Sequence, residues 1–299
     1  CIAELHDSLY VVVGLAAGAS DGKIAAYLWS DGKLHTAWSK HVGDHVCALT
    51  TVSGYVAAAI GHEVHTYAME PHALTFRRPW DCAFVSSCLA SQGSTLVVGD
   101  AMHSLTVLTV AEDGSLSESA RDLHPYWTSA VCVLDEAQQR YLGTDVAMNL
   151  FVAERAKGTE PESPWSHVMR HAAACHVGDL VNAIHTLPGG RVMYATASGA
   201  LGTLVHVPEP VARVLLCVQD AMIEVVPAPG DIPWESWRTS RTDTRTEPPH
   251  HILDADVLRF FVSDPSVRSP CLDKAGSLAQ ARDIPMAEMA EERMLHMLH

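Results

Sequence analysis

The chain has 299 residues, of which 48% are hydrophobic and 18% are charged, and its formal net charge is −15. This composition allows a sizeable buried core and excludes an intrinsically disordered chain, which would be poor in apolar residues and rich in charge. The acidic balance and the lack of a Lys/Arg cluster argue against direct binding of this segment to nucleic acid.

Most of the sequence, from its beginning to about residue 208, consists of an internal repeat. Five segments share an apolar strand, a turn carrying Gly, Ser or Asp, and a second apolar strand, beginning at Leu9, Tyr55, Thr95, Arg140 and Arg191. Their turns are predicted to begin at Gly14, Gly61, Gly99, Gly143 and near Thr196. The period of roughly 40 to 50 residues matches a four-stranded propeller blade. A β-sandwich of unrelated hairpins is the alternative.

The fold prediction follows from the order of elements within each unit. A further short β-branched run precedes each pair, as in HVCALTTV and TSAVCVLD, and an outer strand follows, as in KLHTAWSK. We therefore predict a mainly β chain: a partial seven-bladed β-propeller of about five blades over residues 1–208, followed by a small C-terminal helical domain over 209–299. With no initiating Met, the chain is expected to belong to a longer protein.

Helical periodicity replaces the strand pattern after residue 208. Apolar residues at helical spacing predict a helix of roughly 15 residues with Pro210 near its start. A short helix is predicted in PWESW, another over DADVLRFF with Val257, Leu258 and Phe261 buried, and a helical tail from Pro285. The tail's candidate apolar contacts are Met286, Met289, Met294, Leu295 and Leu298. Residues 155–167 and 264–284 are predicted to be mobile loops.

Cysteine and histidine spacing offers no metal template. The eight cysteines are scattered, mostly within apolar runs, and no CxxC occurs, so we predict small buried thiols in a reducing compartment. The spacing of His171, Cys175 and His176 matches no zinc site. No apolar run approaches the length of a membrane helix, and no signal peptide is recognisable. We expect a soluble intracellular protein without metal or cofactor.

Catalytic motifs are missing from the sequence. It contains no GxSxG, GxxxxGK or HExxH pattern, which favours a binding protein over an enzyme. Asp100 and Asp145 follow turn glycines and are interpreted as turn acids that accept backbone hydrogen bonds. His250 and His251 lie in a proline-rich connector, where exposure is expected. A propeller enzyme that uses a central channel is the least favoured alternative.

Several motifs resemble the C-terminal region of a family of very large triple-propeller proteins. They are ARDLHPYWTSAVCVLD at 120–135, LGTDVAMNLFV at 142–152, VGDLVNAI at 177–184, TASGALG at 196–202 and WRTSRTDTRTEPPHHILDADVLRFF at 237–261. The family comprises the large subunits of the DNA damage-binding protein and of the cleavage and polyadenylation specificity factor, and a splicing factor 3b subunit. The ARDLHPYW and NLFV strings most resemble the damage-binding member.

This resemblance implies a function and a site. It implies a non-enzymatic adaptor of cullin-type ubiquitin ligases, found in nucleus and cytoplasm, whose partners are substrate-receptor proteins. The alternative is a scaffold subunit of a splicing or polyadenylation complex. The implied receptor-binding residues are Trp127, Asn182, Leu180, Ala197, Ala101, Met102 and His103. From the residues alone, Trp127 is either packing between blades or an exposed anchor, and the resemblance favours the anchor.

Overall fold

The fold was analysed in a computed structural model that describes residues 1–5, 8–16, 21–70, 72–155, 167–285 and 290–298. Blade 1 contains β1 (Ile2–Leu5), β2 (Ser8–Ala16), β3 (Gly22–Ser30) and β4 (Lys33–Val42). Blade 2 contains β5 (Val46–Val52), β6 (Tyr55–Ile60), β7 (Glu63–Glu70) and β8 (Ala73–Asp81). Blade 3 contains β9 (Ser86–Gln92), β10 (Thr95–Asp100), β11 (Leu105–Val110) and β12 (Leu116–Arg121).

The remaining two blades complete the β part of the described chain. Blade 4 contains β13 (Thr128–Asp135), β14 (Arg140–Asp145), β15 (Asn149–Arg155) and β16 (Met169–His176). Blade 5 contains β17 (Val181–Leu187), β18 (Arg191–Thr196) and β19 (Leu201–Leu204). Each sheet pairs its strands antiparallel in sequence order, and the first strands of blades 2 to 5 contact one another in series. The predicted mainly β fold, with five propeller blades followed by helices, is confirmed.

The hydrophobic core lies between the blades. Val12 and Ile24 of blade 1 pack with Val56 and Tyr67 of blade 2, and equivalent apolar clusters separate the later pairs of blades. A second strand sandwiched between neighbouring sheets is buried on both faces, which explains why runs such as YVAAAI are apolar throughout and do not alternate. The sequence repeat therefore follows from packing of sheet against sheet.

Glycines predicted to begin the turns have two different roles. Gly61 lies in a turn with a φ of 56°. Gly14, Gly99 and Gly143 instead lie inside strands β2, β10 and β14, so the prediction that turns begin there is wrong. A Cβ on Gly99 would stand 2.4 Å from Cys88 Sγ and 2.9 Å from Thr128 Cγ2. Close approach of side chains, and not turn geometry, requires glycine at this position.

Helices form the C-terminal part. They are α1 (Glu209–Val225), α2 (Trp234–Arg238), α3 (Ala255–Ser263), α4 (Pro265–Ala281) and α5 (Glu291–Leu298), with a short hairpin of β20 (Ser240–Arg241) and β21 (Thr246–Glu247) after α2. Their shared core includes Met222 of α1, Phe261 of α3 and Met294 of α5. None of the helices in the described ranges combines the length and apolar character that a bilayer crossing requires.

Residues 264–284 contain a helix, so the prediction of a mobile loop there is wrong. Asp264 caps α4 by accepting the backbone N–H of Ser266, and Pro265 begins the helix. Its buried face consists of the small residues Cys271, Ala275 and Ala279, spaced four apart, which pack against α1. Small side chains allow close approach of two helices without the large apolar residues that would signal a helix in sequence.

Other sequence predictions meet the structure with mixed results. The tail helix begins at Glu291 and not at Pro285; Met286 and Met289 lie outside the described residues, as does most of the predicted loop at 155–167. Met294 is fully buried as predicted. Cys1 and Cys47 are exposed, contrary to the expectation of buried thiols, whereas Cys132, Cys217 and Cys271 are buried. Cys47 is exposed because it is the extra residue of a bulge in β5.

Candidate protein-binding rim

Antiparallel order places one set of loops at the same end of every blade. The chain enters the first strand of a blade at this end, and returns to it at the turn between the second and third strands and again after the fourth. We call this end of blades 2 to 5 the rim. It contains the loops before β5, β9, β13 and β17 and the turns after β6, β10, β14 and β18.

One backbone hydrogen bond repeats at the rim of four blades. The residue after the second strand donates its N–H to the carbonyl of the residue just before the first strand. The pairs are Gly61 to His45 at 3.1 Å, Ala101 to Val85 at 2.8 Å, Val146 to Trp127 at 2.9 Å and Ala197 to Leu180 at 2.8 Å. Trp127 and Leu180 therefore occupy equivalent positions in successive blades, and so do Ala101 and Ala197.

A β-bulge also repeats in the first strand of these blades. The extra residue in each bulge is Cys47, Ser87, Ser129 or Asn182. Ser87 Oγ donates to the carbonyl of Thr128 at 2.8 Å, and Ser129 Oγ donates to that of Val181 at 2.7 Å. In blades 3 and 4 this position therefore ties one blade to the next. Asn182, at the corresponding place in blade 5, is exposed.

The predicted site residues all lie at the rim. Trp127 is 51% exposed and Met102 is 38% exposed. His103, Asn182 and Ala197 are exposed, and Ala101 and Leu180 are half-buried. The structure thus brings together residues from the turn of blade 3, the entry loop of blade 4, and the loops of blade 5.

Asp100 fixes the turn that carries Met102 and His103. Its carboxylate is buried and accepts the backbone N–H groups of Phe84 at 2.8 Å, Met102 at 2.8 Å and His103 at 3.0 Å. The predicted role of a turn acid is confirmed. Because the backbone N–H groups of all three residues donate to one carboxylate, Asp100 links the entry loop of blade 3 to the turn of the same blade.

In blade 4, Asp145 and Asn149 also fix a turn by hydrogen bonds. Asn149 in addition connects this blade to the helical region. Asp145 accepts the backbone N–H of Asn149 at 2.8 Å, as predicted for a turn acid, and burial raises its pKa despite the hydrogen bonds from Asn149. The Asn149 side chain donates to the carbonyl of Arg241 at 3.1 Å and accepts that residue's N–H at 3.2 Å. The connector after α2 is thereby fastened to blade 4.

The end of the same connector also pairs with β16 in the manner of a short strand. His250 exchanges backbone hydrogen bonds with Ala174, and His251 Nδ1 lies 2.7 Å from the carbonyl of Ala172. His251 is exposed, as expected, whereas His250 is half-buried because its backbone pairs with the blade. The proline-rich connector is therefore part of the packed structure.

Sequence reasoning missed several apolar rim residues. Phe84 is 48% exposed, Leu123 60%, Val146 50% and Met148 38%. Val146 could have been found from the repeat, because it stands where Ala101 and Ala197 stand in their own blades. Phe84 and Leu123 lie in the loops between blades, which show no periodic pattern. Together with Trp127 and Met102 they form a mainly apolar surface across blades 3 and 4.

Histidines near this surface do not form the triad weighed in the sequence. His171 Nε2 lies 2.9 Å from Asp122, whereas His176 Nδ1 lies 3.1 Å from Asn149 and Cys175 packs in the core between blades 4 and 5. In the described ranges, two groups have ligand atoms close enough to share an ion: Asp122, His124 and His171, and the more exposed His62, Glu63 and Asp81.

Comparison with known proteins agrees with this architecture. Residues 7–263 match the family model described as the CPSF A subunit region. The chain is 27% identical to DNA damage-binding protein 1a of Arabidopsis thaliana over 81% of its length, and 27% identical to DNA damage-binding protein 1 of Solanum lycopersicum over 86%. It spans only 24% and 25% of those relatives. The chain therefore belongs to the CPSF A subunit region family.

Proposed function

We propose that this chain is a non-enzymatic scaffold whose rim binds substrate-receptor proteins of a cullin-type ubiquitin ligase in the DNA damage response. The observation that carries the proposal is the exposed apolar surface around Trp127. Exposed apolar patches framed by polar groups mark protein interaction sites, and tryptophan is enriched among the residues that dominate binding energy. The relatives named as DNA damage-binding proteins support the assignment to that response.

The rim is suited to a protein partner by its rigidity. Backbone hydrogen bonds and buried carboxylates hold its loops, so little conformational entropy is lost when a partner docks. The net charge of −15 opposes direct binding to phosphate backbones. We therefore propose that the partners are proteins. The resemblance to the family is the ground on which we propose the nucleus and cytoplasm as the place of action.

A scaffold role in pre-mRNA splicing or polyadenylation is the second candidate. The match to a family described by the CPSF A subunit favours it. A filter-binding titration of the chain with single-stranded RNA at low salt separates the two. Tight binding that weakens steeply with salt would favour the second candidate, and no binding would favour the first.

The first prediction concerns Trp127. We expect Trp127→Ala, in the full-length natural protein, to reduce recovery on an immobilised cullin-ligase substrate receptor by about 30-fold, which corresponds to a hot-spot loss of about 2 kcal/mol. The matched control is Trp29→Ala. Trp29 is 49% exposed but lies near the β3–β4 turn, at the end of blade 1 opposite the rim. Equal recovery of both variants would show that the rim is not the binding surface.

We also propose that residues 1–208 and 209–299 are two domains. The last blade strand ends at Leu204 and α1 begins at Glu209, and the helices have a hydrophobic core of their own. The connector between α2 and α3 nevertheless returns to blade 4, so the two domains are joined by more than the short link at 205–208.

A further inference from the structure

A buried carboxylate with two imidazoles lies directly beneath the rim. Asp122 follows β12, and its side chain is completely buried. Its Oδ1 lies 2.5 Å from His124 Nδ1, and its Oδ2 lies 2.9 Å from His171 Nε2. Ser104 Oγ donates to Oδ2 at 2.6 Å, and the backbone N–H of His124 donates to Oδ1 at 3.2 Å.

The described contacts of this buried carboxylate include no permanent cation, neither Arg nor Lys. The donors are one hydroxyl, one backbone amide and two imidazoles. Buried carboxylates in proteins are paired with cations or coordinate metals, and the described contacts of Asp122 offer two imidazoles at metal-ligand positions.

We propose that Asp122, His124 and His171 form a binding site for a divalent transition-metal ion, with Zn²⁺ as the best match. Two imidazoles and one carboxylate are a recurrent donor set for such ions. The three ligand atoms all lie within 4.8 Å of one another. The proposal departs from the sequence-based expectation of no metal, because Asp122 and His171 are 49 residues apart and meet only in the fold.

The geometry needs little adjustment to take an ion. Ligand atoms of a tetrahedral Zn²⁺ lie about 3.3 Å apart when each bond is about 2.0–2.1 Å. The present contacts of 2.5 and 2.9 Å would therefore open by less than about 1 Å. His171 is held between Tyr126 and Phe151, with ring centroids 5.2 and 4.9 Å away. His124, whose side chain is 27% exposed, is the ligand that can move and the route by which an ion enters.

Proton accounting distinguishes the two imidazoles. When the metal binds, His124 coordinates through Nδ1 and its proton resides on Nε2, while His171 coordinates through Nε2 and its proton resides on Nδ1. The ring centroids of the two histidines are 4.0 Å apart. His171 Nδ1 has no hydrogen-bond partner, so we expect an affinity about 10- to 100-fold weaker than in sites with an outer acceptor.

Such an ion would tie three elements together under the rim. Asp122 directly follows β12, His171 belongs to β16, and Ser104 belongs to the turn that carries Met102. Ser104 also accepts, through its carbonyl, the hydroxyl of Thr128, the residue after Trp127. The site stands independently of the proposed function, because metal binding can be measured without any protein partner.

The experiment is a metal titration of the whole 299-residue chain after removal of metals with a chelator. We expect one Zn²⁺ per chain by calorimetry, and visible absorption bands of tetrahedral Co²⁺ when Co²⁺ replaces it. Asp122→Asn and His124→Gln should each abolish the stoichiometric site. His124→Gln is the variant expected to keep the fold, because His124 is partly exposed, and near-ultraviolet circular dichroism checks this.

The matched control is His103→Gln, on the neighbouring exposed turn. It should bind Zn²⁺ like the wild type. Binding that is unchanged in folded His124→Gln would assign the ion to other histidines of the chain and overturn the proposal. The absence of stoichiometric binding to the wild type would overturn it as well.

Discussion

Gly99 shows how tightly a single residue can be constrained by its neighbours. It lies within β10, and a Cβ there would collide with Cys88 Sγ, while burial raises the pKa of that thiol to about 12. Side chains of β9, in the same blade, and of β13, in the next blade, therefore both limit the volume available at this position.

The prediction at this scale is that Gly99→Ala lowers the free energy of unfolding by about 1–3 kcal/mol, because added volume in a packed core forces displacement of its neighbours. Urea denaturation followed by tryptophan fluorescence measures it. Gly43→Ala is the control, since no atom lies within 4 Å of the added carbon. Similar losses in both variants would show that collision is not the cause, because the carbon added at Gly43 meets no neighbouring atom.

Residue-level reasoning from sequence found part of the candidate site. Trp127 was identifiable because it follows Pro125 and Tyr126 in a motif, and Asp100 because it follows a strand glycine. Phe84 and Asp122 gave no comparable signal. Their roles depend on partners from other strands, such as His171 for Asp122, and no pattern of nearby residues carries that information.

At the scale of elements, α2 and α3 are joined by an ion pair. Arg238 Nε donates to Asp254 Oδ2 at 2.7 Å, and Trp234 Nε1 donates to the same oxygen at 2.9 Å. Burial alone would raise the pKa of Asp254, but these hydrogen bonds outweigh burial and lower it. Asp254 also caps α3 by accepting the N–H of Asp256. The carboxylate thus orients both helices.

This pair predicts an acid-sensitive contribution to stability. The folded pKa of Asp254 lies below its unfolded value, so the contribution is present above about pH 4 and is lost as the pH falls through the folded pKa. Asp254→Asn keeps a good helix cap but should cost about 2–3 kcal/mol at neutral pH and flatten the acid limb of the stability curve. Thermal melts between pH 3 and pH 7 measure both effects.

Asp256→Asn is the matched control for that prediction. Its carboxylate is 3.3 Å from Arg238 but 72% exposed, so the change should stay below about 0.5 kcal/mol. If the two variants lose the same stability, or if Asp254→Asn keeps the acid dependence of the wild type, another carboxylate controls the acid limb.

Strands were more predictable from sequence than helices. Strand β10 is an uninterrupted apolar run because both of its faces are buried, and the same physical cause repeats in every blade. Helix α4 was missed because Pro270 lies inside it and its buried residues are small. Its start did carry a signal, Asp264 followed by Pro265, which is a cap and a favourable first residue.

At the scale of the whole molecule, Asn149 joins the propeller to the helical region. It is 2% exposed, contacts Asp145 and Arg241, and lies 3.1 Å from His176. The connector between α2 and α3 also pairs with β16. Within the described residues, this connector is therefore attached to the propeller through blade 4. We therefore expect that loss of the Asn149 side-chain amide would weaken the attachment of the connector to the propeller.

We predict that Asn149→Ala accelerates trypsin cleavage after Arg241 and Arg245 several-fold, because the connector is released before the domains unfold. Peptide mapping over time identifies the sites. Asn182→Ala, an exposed residue of β17, should cleave like the wild type. Unchanged cleavage in Asn149→Ala would indicate that the backbone pairing of His250 with Ala174 holds the connector by itself.

The repeated bond from Ala101 to Val85 and from Val146 to Trp127 uses backbone atoms only. The loop geometry at each position is therefore insensitive to which side chain is present there. Four different residue types share this one backbone hydrogen bond: His45, Val85, Trp127 and Leu180. Descendants of a common propeller could exchange these four side chains and acquire new partners without first having to evolve a new fold.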